Sequence, residues 1–192
     1  VYIFRKYLMN NSQFQAWLNK PSNTLIMGIL NVTQDSFSDG GKFDTPEQAT
    51  AHGIKMIEDG ADIIDIGGES TRPGTEPVLL EKELNQTIPV IEAIRKQSDC
   101  VISIDTYKSK VASAALDAGA NLVNDISGLT FDEGIAPLVA EKNVPVILMH
   151  IKGTPRDMQK EPHYEDLMGE IKDYFTAQIA KAKKAGQPLI HL

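Results

Sequence analysis

The stretch DIIDIGGESTRPG, residues 62–74, ends an apolar run in groups suited to gripping an anion. Arg72 carries a planar fork that pairs two anionic oxygens at once, as in phosphate or carboxylate. Ser70 and Thr71 place hydroxyl donors beside it. Gly67 and Gly68 let the backbone pass close to a ligand or take a bulge. The Pro73-Gly74 turn fixes where the arginine points. The competing use of the same residues is a structural pairing of Arg72 with Glu69 or Glu76.

Asp105 follows the apolar VISI and belongs at the top of a strand. A carboxylate there needs a partner. A nitrogen-rich ring with adjacent N–H donors is one; a cap on the helix that follows is the other, a task Thr106 could take instead. Asn124, one strand further on, offers one acceptor and two donors, while Asp125 points to the opposite face and reads as structural. Asn31 opens NVTQDSFSDGGKF, 31–43, a long polar loop holding Asp35, Ser36 and Phe37. Such a loop suits an active-site lid, or a solvated loop with Phe37 packed back on the core. His150, near the end of another apolar run, could be a base, a ligand or a packed ring. His52, His163 and His191 show no metal spacing, and CxxC, HExxH, GxGxxG and phosphate-loop lysine patterns are absent. Together these residues describe a mouth holding an arginine, a carboxylate and two asparagines. That set fits a substrate joining a polar heterocycle to a phosphate or similar anion.

Five apolar segments must carry these groups: 24–32, 61–68, 100–106, 121–127 and 144–150. They are mostly continuous, as strands covered on both faces should be. Helical patterns separate them. The first begins at a Thr45 cap with Pro46 at the first helical position and stops at Gly60. The second, 76–97, contains Pro89, which predicts a kink or break. Patterns at 107–120, 132–143 and 163–187 follow, the last with lysines near its end. Alternating strands and helices predict a parallel α/β sheet in one domain, residues 1–192. An open doubly wound sheet gathers its ligand groups at one switch point, whereas a barrel collects them from nearly every strand end. Polar groups close all five segments, which favours a (β/α)8 TIM barrel.

The totals agree with an ordinary soluble enzyme or binding protein in the cytoplasm. The chain has 192 residues and a formal net charge of −7, which argues against nucleic-acid and anionic-membrane partners. No apolar run approaches the roughly 20 residues of a membrane span. Residues 1–18 lack a signal-peptide pattern. The one cysteine, Cys100, reads as a buried thiol. The opening on Val1 and the strand-like close PLIHL suggest a fragment, with a sixth strand starting at Leu189.

GILNVTQDSFSDGG, DIIDIGGESTRPG, ISIDTYKSKVASAALDAGANLVNDISG and VILMHIKGTPRDMQ, in this order and spacing, strongly resemble dihydropteroate synthases. The resemblance covers residues 25–192 and implies a TIM barrel, here truncated after about five βα units. It implies condensation of 7,8-dihydropterin-6-ylmethyl diphosphate with 4-aminobenzoate in folate biosynthesis, releasing diphosphate, with Mg²⁺ as cofactor. It also implies a homodimer and a sulfonamide target. Asn31 resembles the family's Mg²⁺-contacting asparagine. Thr71 and Arg72 resemble the loop residues that touch substrate phosphate and aminobenzoate. Asp105 and Asn124 resemble its pterin readers, and Met149 the residue packing on the pterin ring. Asp35, Ser36, Phe37 and Pro73 fall in its two mobile loops, which cover the aminobenzoate side. The resemblance implies Asp105, Arg72 and Asp35 as the catalytic groups. The family's pattern continues beyond Leu192 with an Asp-Pro-Gly strand end, a lysine and an Arg/His pair. The alternatives are a pterin-binding methyltransferase module, which has no use for STRPG, and a non-catalytic barrel fragment.

Overall fold

The computed structural model describes residues 9–32 and 45–186. Asp35, Ser36, Phe37 and the strand expected from Leu189 lie outside them. In chain order the elements are α1 (Asn11–Asn19), β1 (Met27–Asn31), α2 (Pro46–Glu58), β2 (Ile63–Gly67), α3 (Leu80–Arg95) and β3 (Val101–Asp105). Then come α4 (Ser109–Asp117), β4 (Leu122–Asp125), α5 (Ile135–Lys142), β5 (Val146–Leu148) and α6 (Leu167–Lys184). Among the described residues no helix is long and apolar enough to cross a membrane.

The five strands are all parallel, in the order β1-β2-β3-β4-β5. Crossovers between parallel strands are right-handed. When every one steps the same way, the connecting helices α2 to α5 fall on one face, the wiring of a barrel wall. A doubly wound sheet reverses direction partway and carries helices on both faces. The helix-facing side is the main core. Ile64, Ile66, Ile102, Ile104 and Val123 pack there with Val90, Ile91 and Ile94 of α3, Val111 and Ala115 of α4, and Val139 of α5. Burying one such side chain contributes about 1.5–3 kcal/mol.

The inner face divides by height. At its lower end Ile63, Val101 and Leu122 pack on Phe14, with Met27 and Trp17 against them. An apolar cavity of about 770 Å³ opens beside them, lined in part by Met27, Leu122 and Ile147. Phe14 and Trp17 belong to α1, a helix not among those expected from the sequence. Its signal was present: Asn10 and Gln13 form a reciprocal capping box, each side chain accepting the other's backbone N–H at 3.0 Å. The lower end, beside α1, is thus apolar, and the polar candidate groups belong to the upper end of the inner face.

Two further details set the geometry. Pro89 does not break its helix; α3 runs unbroken from Leu80 to Arg95. Pro89 and Asn85 both lie on the exposed side, so water can take the carbonyl that proline leaves without an N–H partner. Arg95, at the end of α3, donates to the carbonyls of Ser98, Cys100 and Gly119 and to Asn121 Oδ1. Asn121 Oδ1 also accepts from Ile102 N–H at 2.9 Å. One guanidinium thus ties the lower ends of β3 and β4, which fixes the register above it. Cys100 is fully buried, as expected, and burial pushes its thiol up.

Candidate active site

Register places the candidate groups in one row. Asn31 pairs with Gly67, Gly67 with Asp105, and Asp105 with Asn124. Residues in register on parallel strands point to the same face. The side chains of Asn31, Asp105 and Asn124 therefore share the inner face at the C-terminal strand ends. Gly67 is the gap between them. A Cβ there would lie 3.4 Å from Asp105 Oδ2 and 3.7 Å from Asn31 Oδ1. The missing side chain leaves a space that both oxygens face. Asp125 points the other way, as expected. It is buried, its Oδ1 accepts from the Ser127 amide and hydroxyl, and its Oδ2 accepts from the Leu129 amide.

One level below this row lies a residue that sequence reasoning missed. Asp65, in the middle of β2, accepts from Asn124 Nδ2 at 2.9 Å. That bond turns the Asn124 carbonyl oxygen away from Asp65, leaving it as the acceptor to offer a ligand. The available signal was a carboxylate inside an apolar strand. Burial raises the Asp65 carboxyl, and its polar neighbours Ser103 and Asn124 draw it back down. Asp65 Oδ1 and Ser103 Oγ are buried without a hydrogen bond among the described residues. Burial pushes the Asp105 carboxyl up to about 8, and the charges of Asp65, Glu83, Asp125 and Glu69 push the same way. Asp105 is thus an acid in need of donors. It does not cap α4: Ser109 N–H goes to Asp132, and Thr106 Oγ1 accepts from Lys108 N–H.

The loop after β2 holds Thr71 and Arg72 on the rim, with Arg72 exposed. Residues 72–75 form a type II turn. Thr75 N–H donates to Arg72 O at 3.2 Å, Pro73 follows the arginine, and Gly74 supplies the positive φ of 85° that this turn demands. Both glutamates weighed as partners of Arg72 carry other cations. Glu76 pairs with Arg156, and Glu69 with Lys108. At the loop's base Gly68 touches α3 closely. A Cβ there would come within 2.9 Å of Glu83 Cγ and of Thr87 Cγ2, both on buried residues. Gly68→Ala is expected to cost about 1–3 kcal/mol of stability by overpacking, read as a lower urea midpoint.

Lys108 sits among buried acids. Its Nζ donates to both Glu69 and Glu83. Glu69 also accepts from Tyr107 OH at 2.8 Å and from Val78 N–H at 3.0 Å. Glu83 accepts from Thr106 Oγ1 at 2.6 Å. Burial opposes the charge on Lys108, but the two glutamates outweigh it and hold its pKa above the ordinary value.

The loop after β5 closes the far side. β5 ends at Leu148, one residue short of Met149, which is 40% exposed at the mouth. His150 is a packed ring: Tyr174 meets it edge-on at 4.8 Å between centroids, and Tyr164 lies at 6.0 Å. Across the mouth, Gly74 N–H donates to Pro155 O at 2.9 Å, and Arg156 Nε lies 3.3 Å from Glu76. Among the described residues no three His, Cys, Asp or Glu side chains cluster to hold a metal.

Residues 27–189 match the family described as pterin binding enzyme. This chain belongs to the pterin-binding enzyme family. Its relatives include the dihydropteroate synthase of Synechocystis sp., 52% identical over 163 residues, which are 85% of this chain and 56% of that protein. The Bacillus subtilis dihydropteroate synthase is 48% identical over 180 residues, 91% of this chain and 61% of that one. Solved structures with the same fold include Xanthomonas albilineans dihydropteroate synthase with 4-aminobenzoic acid. It is 46% identical with a TM-score of 0.78, over 87% of this chain and 59% of that one. Yersinia pestis dihydropteroate synthase in a sulfonamide complex is 40% identical with a TM-score of 0.82, over 97% and 64%. The chain spans less than two thirds of each of these proteins. Within this pterin-binding enzyme the match begins at Met27, the first residue of β1, so it takes in the sheet and the polar row but not α1. The likeness also settles the barrel over the doubly wound sheet.

Proposed function

We propose that the protein condenses 7,8-dihydropterin-6-ylmethyl diphosphate with 4-aminobenzoate, releasing diphosphate, as the names of its relatives suggest. The observation that carries this reading is the single row of Asn31, Asp105 and Asn124 on the inner face, with Arg72 on the adjoining rim. Asp105 takes the adjacent N–H donors of the pterin ring, and Asn124, steadied by Asp65, reads the next position. The aminobenzoate nitrogen attacks the pterin methylene carbon. The new C–N bond forms as the C–O bond to diphosphate breaks, and the nitrogen sheds one proton. Positive charge builds on the methylene, where the nearby carboxylate favours it, and negative charge on the departing diphosphate, where Arg72 answers it. The chemistry of the donor set suits Mg²⁺: Asn31 Oδ1 with diphosphate oxygens and water would hold it, and it would add positive charge at the leaving group. These charged, soluble reactants fit a cytoplasmic setting.

The raised carboxyl supplies a test. Free Asp105 holds its proton up to about pH 8, yet the ring's donors need the carboxylate. Binding below that pH must therefore expel one proton. Pterin affinity is expected to fall about tenfold for each pH unit between 8 and 6, with proton release seen by calorimetry in buffers of different ionisation enthalpy. Affinity that stays flat over this range overturns the role of Asp105. In turnover, diphosphate and dihydropteroate are expected in equal amounts, and no diphosphate without the amine. Methyl transfer to a corrinoid in their place would support the methyltransferase reading instead.

A further inference from the structure

We propose that Lys108 is a positioning residue that clamps the Arg72 loop to the strand carrying Asp105. The inference rests on the proposed condensation, because it concerns how two halves of one site are held together. Glu69 begins the loop that bears Thr71 and Arg72, and it is 7% exposed. Glu83 lies on α3 and is fully buried. Lys108 follows Asp105 by three residues, and its ammonium spans both carboxylates. The other contacts point the same way. Tyr107 and Thr106, between Asp105 and Lys108, each donate to one of these glutamates. Val78, at the loop's far end, donates to the same Glu69 oxygen as the lysine does. Both ends of the loop thus meet at one carboxylate, and that carboxylate is held from the segment following Asp105. Gly68 lets the loop's base press against Glu83, so α3 forms the wall behind the clamp.

Neutralising two buried acids needs only the ammonium between them. The donations of Val78 N–H and Tyr107 OH to the same Glu69 are what a clamp adds, since an anion site on a loop binds tightly only when its geometry is fixed beforehand. The two roles separate in a variant with no charge left to neutralise: Lys108→Met with Glu69→Gln and Glu83→Gln. Amide exchange is measured across residues 69–79 and across β4 and α5. Calorimetry then measures binding of a 6-hydroxymethyl-7,8-dihydropterin and, separately, of inorganic diphosphate with Mg²⁺.

For a clamp, exchange across residues 69–79 rises about tenfold or more in this variant while β4 and α5 keep their protection. Diphosphate affinity falls about tenfold, and pterin affinity changes less than about twofold. Lys108→Arg, which keeps charge and reach, restores both readouts to within about threefold. Tyr107→Phe, which removes one donor to Glu69 from a half-buried ring, raises loop exchange about threefold without moving pterin affinity. Unchanged exchange in both the triple variant and Tyr107→Phe overturns the clamp. So does a parallel loss of pterin and diphosphate binding. A wild-type chain with a protected loop that binds neither probe defeats the proposed function instead, and exchange alone then decides the clamp.

Discussion

Asp105→Asn is expected to weaken pterin binding about 100-fold at pH 8, because an amide donor would replace a charged acceptor facing ring N–H groups. The same change is expected to stabilise the fold at alkaline pH. Burial raises the Asp105 carboxyl to about 8, and four acidic neighbours add to the shift. A carboxyl raised above its unfolded value contributes stability that is complete below about pH 4 and lost as pH rises through its folded value. Wild type should therefore weaken between pH 4 and 9 by a margin that the asparagine variant does not share. The two stabilities converge at pH 4, and the variant leads by about 2–5 kcal/mol at pH 9. Urea denaturation at both pH values, beside calorimetry with the pterin, reads the two effects together. A variant no more stable than wild type at pH 9 would mean that the acid cluster exerts no such pressure on Asp105.

The largest stability loss is expected from Lys108→Met alone. It leaves Glu69 and Glu83, both buried, without the cation they share. Removing one partner of a buried ion pair costs about 3–5 kcal/mol, most of it the penalty of a stranded charge. Domains of this size are stable by about 5–15 kcal/mol, so this variant stands close to unfolding. Neutralising both glutamates in the same chain should return most of the loss, since the stranded charges are then gone. Urea midpoints for the single and triple variants test this. A single variant within about 1 kcal/mol of wild type would show that water already screens the pair.

Much of this architecture was legible because it is periodic. All five strands and the five helices that follow them lie where apolar runs and caps put them; Thr45, for example, accepts from Gln48 N–H at 3.4 Å as its position before Pro46 implies. The barrel reading needed only the polar residues at each strand's end. What periodicity does not carry was harder to read. Pro89 lies on a solvent-facing turn of α3, and solvent exposure is decided by the neighbouring helices rather than by the proline. α1 is short and its cap sits among residues with no strong apolar rhythm. Asp65 was hidden in an apolar strand that reads as core, and only the parallel register puts it beneath Asn124. Lys108 and Glu83 are far apart in sequence. Each alone looks like a solvated surface charge, and their pairing exists only once α3 and β3 are packed.

The loop that presents Arg72 does not stand alone: its turn leans on Pro155, and Glu76 beside it is held by Arg156. The guanidinium's placement is consequently a shared property of two segments far apart along the chain. Drift in the second segment could retune which small anions compete for the first while leaving every residue that meets them intact. A survey of altered anion binding confined to the STRPG stretch would overlook the positions around Pro155 and Arg156.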